Sequence, residues 1–233
     1  MSYTKRFDNR KFDEMRKIEA KVGIIKRADG SAMFKIGDTI AVAAVYGPRK
    51  LHPRFLQNPE KGILRCNYDM ISFSVPERKK PGPSRRSTEI SLVTEKALSP
   101  VLDLTSHPNT VIDVFIQIIQ ANAGTRCAGI SAASMALAHA GVSMKDLVAA
   151  VSVGKVGDKI VLDLNKEEED YEEGATDIPV AYSQRTNDFT LLQLDGEVTK
   201  KDLQEALELA KKGCEEIYKL QLKTLKENFK GEE

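Results

Sequence analysis

The chain has 233 residues, 41% of them hydrophobic, with 35 Lys and Arg against 34 Asp and Glu for a formal net charge of +1. Apolar content on this scale fills a core without disulfide or metal staples, and the even balance excludes nucleic-acid binding through overall basicity. No run of about 18 apolar residues occurs, residues 1–8 lead into no apolar signal stretch, and Cys66, Cys127 and Cys214 form no Cys-x-x-Cys pair, so we expect a cytoplasmic protein with reduced thiols and no membrane partner.

After an N-terminal arm over 1–17, residues 18–27 alternate and predict a strand. Asp29-Gly30 predicts a tight hairpin turn and 32–36 the returning strand. Gly37-Asp38 turns into a third strand over 39–46, ended by Gly47-Pro48, which makes an antiparallel meander. Prolines with Arg49, Lys50 and Arg54 predict a loop over 48–61. A strand over 63–75 and a basic, proline-rich loop over 76–83 follow, then a helix capped by Ser84 or Ser87 and running to about Leu102.

Residues 110–120 predict a strand that enters Gly124-Thr125-Arg126 and a buried helix of small residues over 125–140, stopped by Gly141. A hairpin pairs 148–156 with 159–164, an acidic loop follows, and strands are predicted over 178–183 and 189–194. The last element is a long helix from Thr199, with Asp202 three residues on and Leu203, Leu207, Ala210, Cys214 and Ile217 on one face, frayed over 226–233. This order indicates one α+β domain over 1–233, of mixed sheets packed with helices.

Charge is segregated along the chain. Residues 77–89 hold Arg78, Lys79, Lys80, Arg85 and Arg86, and residues 166–177 hold Glu167, Glu168, Glu169, Asp170, Glu172, Glu173 and Asp177. A local basic patch attracts phosphates without a high isoelectric point, and the acidic stretch is either a metal site or a solvated loop. The first amides of a helix lack internal partners and carry partial positive charge, so the start of the helix at Thr125 suits an anion. Thr125 and Arg126 add a hydroxyl and a guanidinium.

Taken alone, Gly124-Thr125-Arg126 also fits a tight turn and Arg85-Arg86 a solvated helix start. Arginine at a helix start opposes the dipole, however, and two such starts suggest one site for inorganic phosphate or a nucleic-acid backbone. Asp177, at the border of a strand, fits a general acid or a metal-orienting carboxylate. His52, His107 and His139 lie in unrelated contexts, and no P-loop or dinucleotide motif is present.

Together these stretches resemble the RNase PH family of phosphorolytic 3′→5′ exoribonucleases, and within it the catalytic ring subunits of archaeal exosomes. The resemblance is carried by residues 10–16, 28–32, 37–39, 83–86, 124–126, 162–165 and 177–180, with 44–49, 52–54 and 162–166 in the archaeal style. It implies a ribosomal-protein-S5-domain-2-like fold, inorganic phosphate as co-substrate, Mg2+, and single-stranded RNA as substrate. It also implies a hexameric ring shared with a homologous inactive subunit, under a cap of S1/KH or S1/zinc-ribbon subunits.

Carried over by position, Arg86, Gly124, Thr125 and Arg126 bind phosphate, and Arg85 is an RNA contact. Lys79, Lys80 and Arg65 are RNA contacts on the basic stripe and near the channel neck. Asp177 is the second catalytic aspartate and the candidate Mg2+ ligand. The family's first aspartate lies six residues before the second, but here that position is Tyr171. The loop over 167–176 therefore carries an insertion, and the nearest acid, Asp170, is assigned, with Glu169 and Glu173 as its neighbours to test. The alternatives are a non-catalytic RNA-binding scaffold and a homohexameric tRNA 3′-end trimming enzyme.

Overall fold

Two sheets pack on one central helix. The computed structural model describes residues 3–77, 79–171 and 174–230, so Arg78, Glu172 and Glu173 lie outside the described residues. The central helix, α2 (Thr125–His139), is buried at every position except Arg126, Ala138 and His139. Its run of Ala, Ser and Gly explains this, since small side chains let strands approach from two sides. Gly30 shows how close the approach is: a Cβ there would stand 2.3 Å from the Ala136 carbonyl oxygen.

The first sheet has the order β1-β2-β3-β5-β4, formed by β1 (Ile18–Val22), β2 (Gly30–Ile36), β3 (Thr39–Lys50), β4 (Ile63–Met70) and β5 (Thr110–Gln120). β1 to β3 form the expected meander, and β4 lies parallel to β5 across a connection that includes α1 (Arg85–Leu98). The second sheet is antiparallel, with the order β7-β6-β8-β9 from β6 (Val148–Val156), β7 (Lys159–Leu162), β8 (Ala175–Ser183) and β9 (Asp188–Leu192). The one-turn helix α3 (Lys166–Glu169) joins β7 to β8, and α4 (Lys200–Lys230) packs on β6 and reaches β1. A single apolar cluster runs from Phe34 and Ile116 through Met135 to Val151, Val180 and Ile217, so both sheets share one core. No described helix is long and apolar enough to cross a membrane.

Several expectations shift in the structure. β3 continues through Gly47-Pro48 to Lys50, because a bulge between Tyr46 and Arg49 absorbs the proline's missing N–H. β1 stops at Val22, where Gly23 takes a positive φ of 71°, so Asp29-Gly30 is no two-residue hairpin turn. Asp29 instead accepts the Gly47 N–H through Oδ2 at 2.8 Å and steadies the bulge. β4 ends at Met70, where the Lys79 ammonium donates to Asp69 Oδ1 and to the Met70 carbonyl. α1 gives way after Leu98 to a 3-10 turn that contains Pro100.

The last helix does not fray at 226. Leu225 is buried, Phe229 stacks on His139 with ring centroids 6.2 Å apart, and the helix runs to Lys230. The N-terminal arm is docked as well: Tyr3 packs with Val156, Val161 and Leu164, and the Arg6 side chain is buried.

Candidate active site

Two helix starts face one cleft. Ser84 caps α1, its Oγ accepting the Ser87 N–H at 3.1 Å while Ser87 Oγ accepts the Ser84 N–H at 2.7 Å. This box fixes Arg85 and Arg86 as the first helical residues, both exposed. α2 starts differently. Its N-cap, Gly124, is left-handed at φ 65° and brings no side chain, so the first-turn amides are left to other partners.

The turn before α2 is clamped by Arg16. Its Nη1 donates to the Asn122 carbonyl, and Nε and Nη2 grip Asp163 at 2.8 and 2.6 Å. A Cβ at Gly124 would lie 3.3 Å from Arg16 Nη2.

The cleft has a volume of about 520 Å³, with Arg86, Arg126, Lys166, Glu169, Asp177 and Gln193 among its walls. Among the described residues Arg86 makes no ion pair. Arg126 donates from Nη1 to Gln193 Oε1, its Nη2 lies 3.6 Å from Glu89 Oε1, and its buried Nε has no partner. Gln193 Nε2 in turn donates to Glu89 at 3.3 Å.

Asp177 lies inside β8 rather than at its border. It faces Gly154 of β6, and its N–H and C=O both pair with Asp195 at 3.0 and 2.9 Å. Ser152 Oγ donates to its carboxylate. Burial pushes the Asp177 carboxyl above the usual range, against the pull of Ser152 and Arg126.

Asp170, the acid assigned from the sequence, and its neighbour Glu169 both line the cleft, and the Asp177 charge acts on Glu169. Asn165 and Glu168 form a capping box, with Glu168 N–H on Asn165 Oδ1 at 2.9 Å and Asn165 N–H on Glu168 Oε2 at 3.0 Å. The box sets the frame of α3, which turns Glu169 into the cleft and leaves Asp170 at the C-cap. The Asp170 carboxylate borders the cleft but is 61% exposed and takes the Lys166 ammonium at 2.6 Å. Burial and then the Asp177 charge push the Glu169 carboxyl up to about 7, opposed by Lys166, the Gly124 amide and Arg86. Burial thus favours the protonated form of both carboxyls.

The other expected residues fall outside this group. Arg85 is exposed and does not line the cleft. Lys79 is occupied at the end of β4, and Lys80 is exposed. Arg65 is bidentate to Asp113 at 2.6 and 3.0 Å, on the sheet face opposite the buried Leu64, Cys66 and Tyr68. Sequence reasoning passed over Ser152, Gln193 and Lys166. A lone hydroxyl in the apolar strand VAAVSVGKV was the one legible signal among them. No group of three or more His, Cys, Asp or Glu side chains among the described residues is placed to hold a metal.

Arginines at two helix starts opposite two buried carboxyls make a cleft suited to phosphate groups. The chain belongs to the 3′ exoribonuclease family, RNase PH: residues 14–143 match the family's domain 1 and residues 146–213 its domain 2. It is 56% identical to the exosome complex component Rrp41 of Thermococcus kodakarensis, over 97% of this chain and 90% of that protein. Among solved structures, rice Rrp46 superposes with a TM-score of 0.82 at 26% identity, over 94% of this chain and all of that one. A chain of the Archaeoglobus fulgidus exosome with RNA bound to the active site shares the fold at a TM-score of 0.78 and 24% identity, over 92% and 91% of the two chains.

Proposed function

We propose that this chain is the phosphorolytic 3′→5′ exoribonuclease subunit of an archaeal exosome, acting on single-stranded RNA in the cytoplasm. The observation that carries the reading is the cleft itself, with Arg86, Arg126 and the α2 start opposite Glu169 and Asp177. Inorganic phosphate binds between Arg86 and the Gly124-Thr125-Arg126 turn. One of its oxygens bonds to the last phosphorus of the RNA, the bond to the preceding 3′-oxygen breaks, and a nucleoside 5′-diphosphate leaves. Attacking and scissile groups are both anionic, so neutralisation and alignment are the main tasks, and the arginines and amides perform them. The leaving 3′-oxygen needs a proton, and the Glu169 and Asp177 carboxyls are placed to give one. These two carboxylates also fit Mg2+, which commonly takes one or two protein carboxylates and fills its shell with water and substrate phosphates. Bound there, Mg2+ would supply positive charge at the leaving oxygen.

The experiment is a phosphate titration. With a poly(A) oligonucleotide, Mg2+ and inorganic phosphate, the product is ADP, and without phosphate turnover stops. AMP released with no need for phosphate would overturn the reading.

The proposal includes a ring with a homologous inactive subunit and an S1/KH or S1/zinc-ribbon cap. Apart from Arg86 and Arg126, the expected RNA contacts Arg65, Lys79, Lys80 and Arg85 lie outside the cleft, so the chain alone offers RNA a short cationic track. Mixing with the homologous subunit therefore raises RNA affinity and processivity, and the gain shrinks as salt rises. Degradation assays with and without that subunit across a salt series test this. Full processivity from a sedimenting monomer contradicts it.

A further inference from the structure

β4 turns Tyr68 inward between the two helices that frame the cleft. Its N–H donates to Ser91 Oγ on α1 at 2.8 Å. Its ring lies along α2, where a Cβ at Gly129 would stand 3.5 Å from Tyr68 Cε2. Gly129 and Thr125 are four residues apart and so share a helix face, which carries the hydroxyl beyond the ring toward Thr125.

Tyr68 is 4% exposed, and its hydroxyl has no hydrogen-bond partner. The Thr125 hydroxyl acts on it as a donor, the direction that lowers a phenol's pKa. Burial raises its pKa, while Thr125, Arg86 and Arg126 pull it back, which places the oxygen within the field of both arginines. A buried hydroxyl left unpaired is costly, and phenylalanine would fill the same space without that cost. Arg126 Nε is a second buried donor without a partner at the same end of α2. Both orphans adjoin the place where an anion is to bind.

We propose that Tyr68 is a positioning residue for the phosphate. When inorganic phosphate binds, the Tyr68 O–H donates to Thr125 Oγ and the Thr125 proton turns from the phenol oxygen onto the phosphate. The inference rests on the reading of Thr125 as a phosphate ligand.

The test titrates inorganic phosphate into the full chain and reads the shift in melting temperature, with the KM for phosphate measured in parallel. Tyr68→Phe is expected to weaken phosphate binding about three- to tenfold, the range of one neutral hydrogen bond. Its kcat at saturating phosphate stays near wild type, and its melting temperature without phosphate is unchanged or higher. In a Thr125→Ala background, Tyr68→Phe adds nothing further, because the relay is already broken. In Thr125→Ser, which keeps the hydroxyl, the effect returns.

Unchanged phosphate affinity in Tyr68→Phe, or an equal loss in the Thr125→Ala background, overturns the inference. A wild-type chain that phosphate does not stabilise removes the phosphate site itself, an outcome distinct from the failure of Tyr68 alone.

Discussion

Asp177→Asn leaves the chain folded and lowers turnover by about 10²–10⁴-fold, the range for removal of a positioned acid or a charge-stabilising group. Asparagine keeps the shape, and its amide oxygen can still accept from Ser152. The backbone pairing with Asp195 and Gly154 is untouched. What disappears is the Asp177 carboxyl, one of the two acids opposite the arginines.

Glu169→Gln is expected to show a loss of the same order. Asp170→Asn costs less than about threefold, as fits an exposed carboxylate paired with a lysine. Steady-state rates of the three variants, with melting curves to confirm folding, check the ranking. A severe loss in Asp170→Asn beside an active Glu169→Gln returns the first acid to Asp170.

The same pair fixes the sign of a pH effect. Glu169 titrates at about 7 in the folded chain, against an ordinary 4.5. Between those values the folded state holds a proton that the unfolded chain has lost, so this group's contribution to stability falls as pH rises through the window. Removing the neighbouring charge in Asp177→Asn moves the Glu169 titration down and flattens that fall. Urea unfolding at pH 5 and pH 8 measures it.

The regular elements were legible because their signals are local. β5 spans the apolar residues 110–120 read as a strand, and of the two candidate caps it is Ser84 that caps α1. α2 declared itself through composition, since a helix of Ala, Ser and Gly has nowhere to go but the interior. Where reading failed, tertiary contacts decide. Nothing local says that β3 survives Gly47-Pro48, because the bulge exists only against β5. Gly30 looked like a turn glycine and is a close-approach glycine beneath Ala136.

The first acid lies at a point where the loop length matters, since Glu169 and Asp170 both line the cleft. Counting back from Asp177 depends on the length of the loop that precedes it. Counting forward from Asn165, whose capping box sets the frame of α3, reaches Glu169 whatever that length. Tyr3 and Arg6 gave no sign of partnership with Glu168, which lies 165 and 162 residues from them in the chain.

That partnership carries the largest expected effect on stability. Arg6 grips Glu168 through Nε at 2.8 Å and Nη2 at 2.7 Å, and both side chains are fully buried. Nη1 donates to the carbonyls of Lys11, Glu14 and Leu162, Nη2 also to that of Asp163, and Tyr3 donates to Glu168 Oε1 at 2.7 Å. Arg6→Ala strands a buried carboxylate and Glu168→Ala a buried guanidinium, each destabilising by about 3–5 kcal/mol.

Although burial pushes the Glu168 carboxyl up, the hydrogen bonds from Arg6, Tyr3 and Asn165 hold it below its ordinary value. Its contribution is therefore present at neutral pH and lost as pH falls through the folded value. Replacing both partners with apolar residues, Arg6→Met with Glu168→Leu, recovers much of the stability, because no buried charge is left alone.

Activity does not recover with it. Glu168 is half of the capping box that orients α3, and α3 delivers Glu169 to Asp177. The double variant is thus expected to melt well above either alanine variant and yet turn over slowly, with a displaced or weakened titration near pH 7. Melting temperature, kcat and the pH profile of one protein preparation separate the two roles, and joint recovery of stability and rate would confine the ion pair to folding.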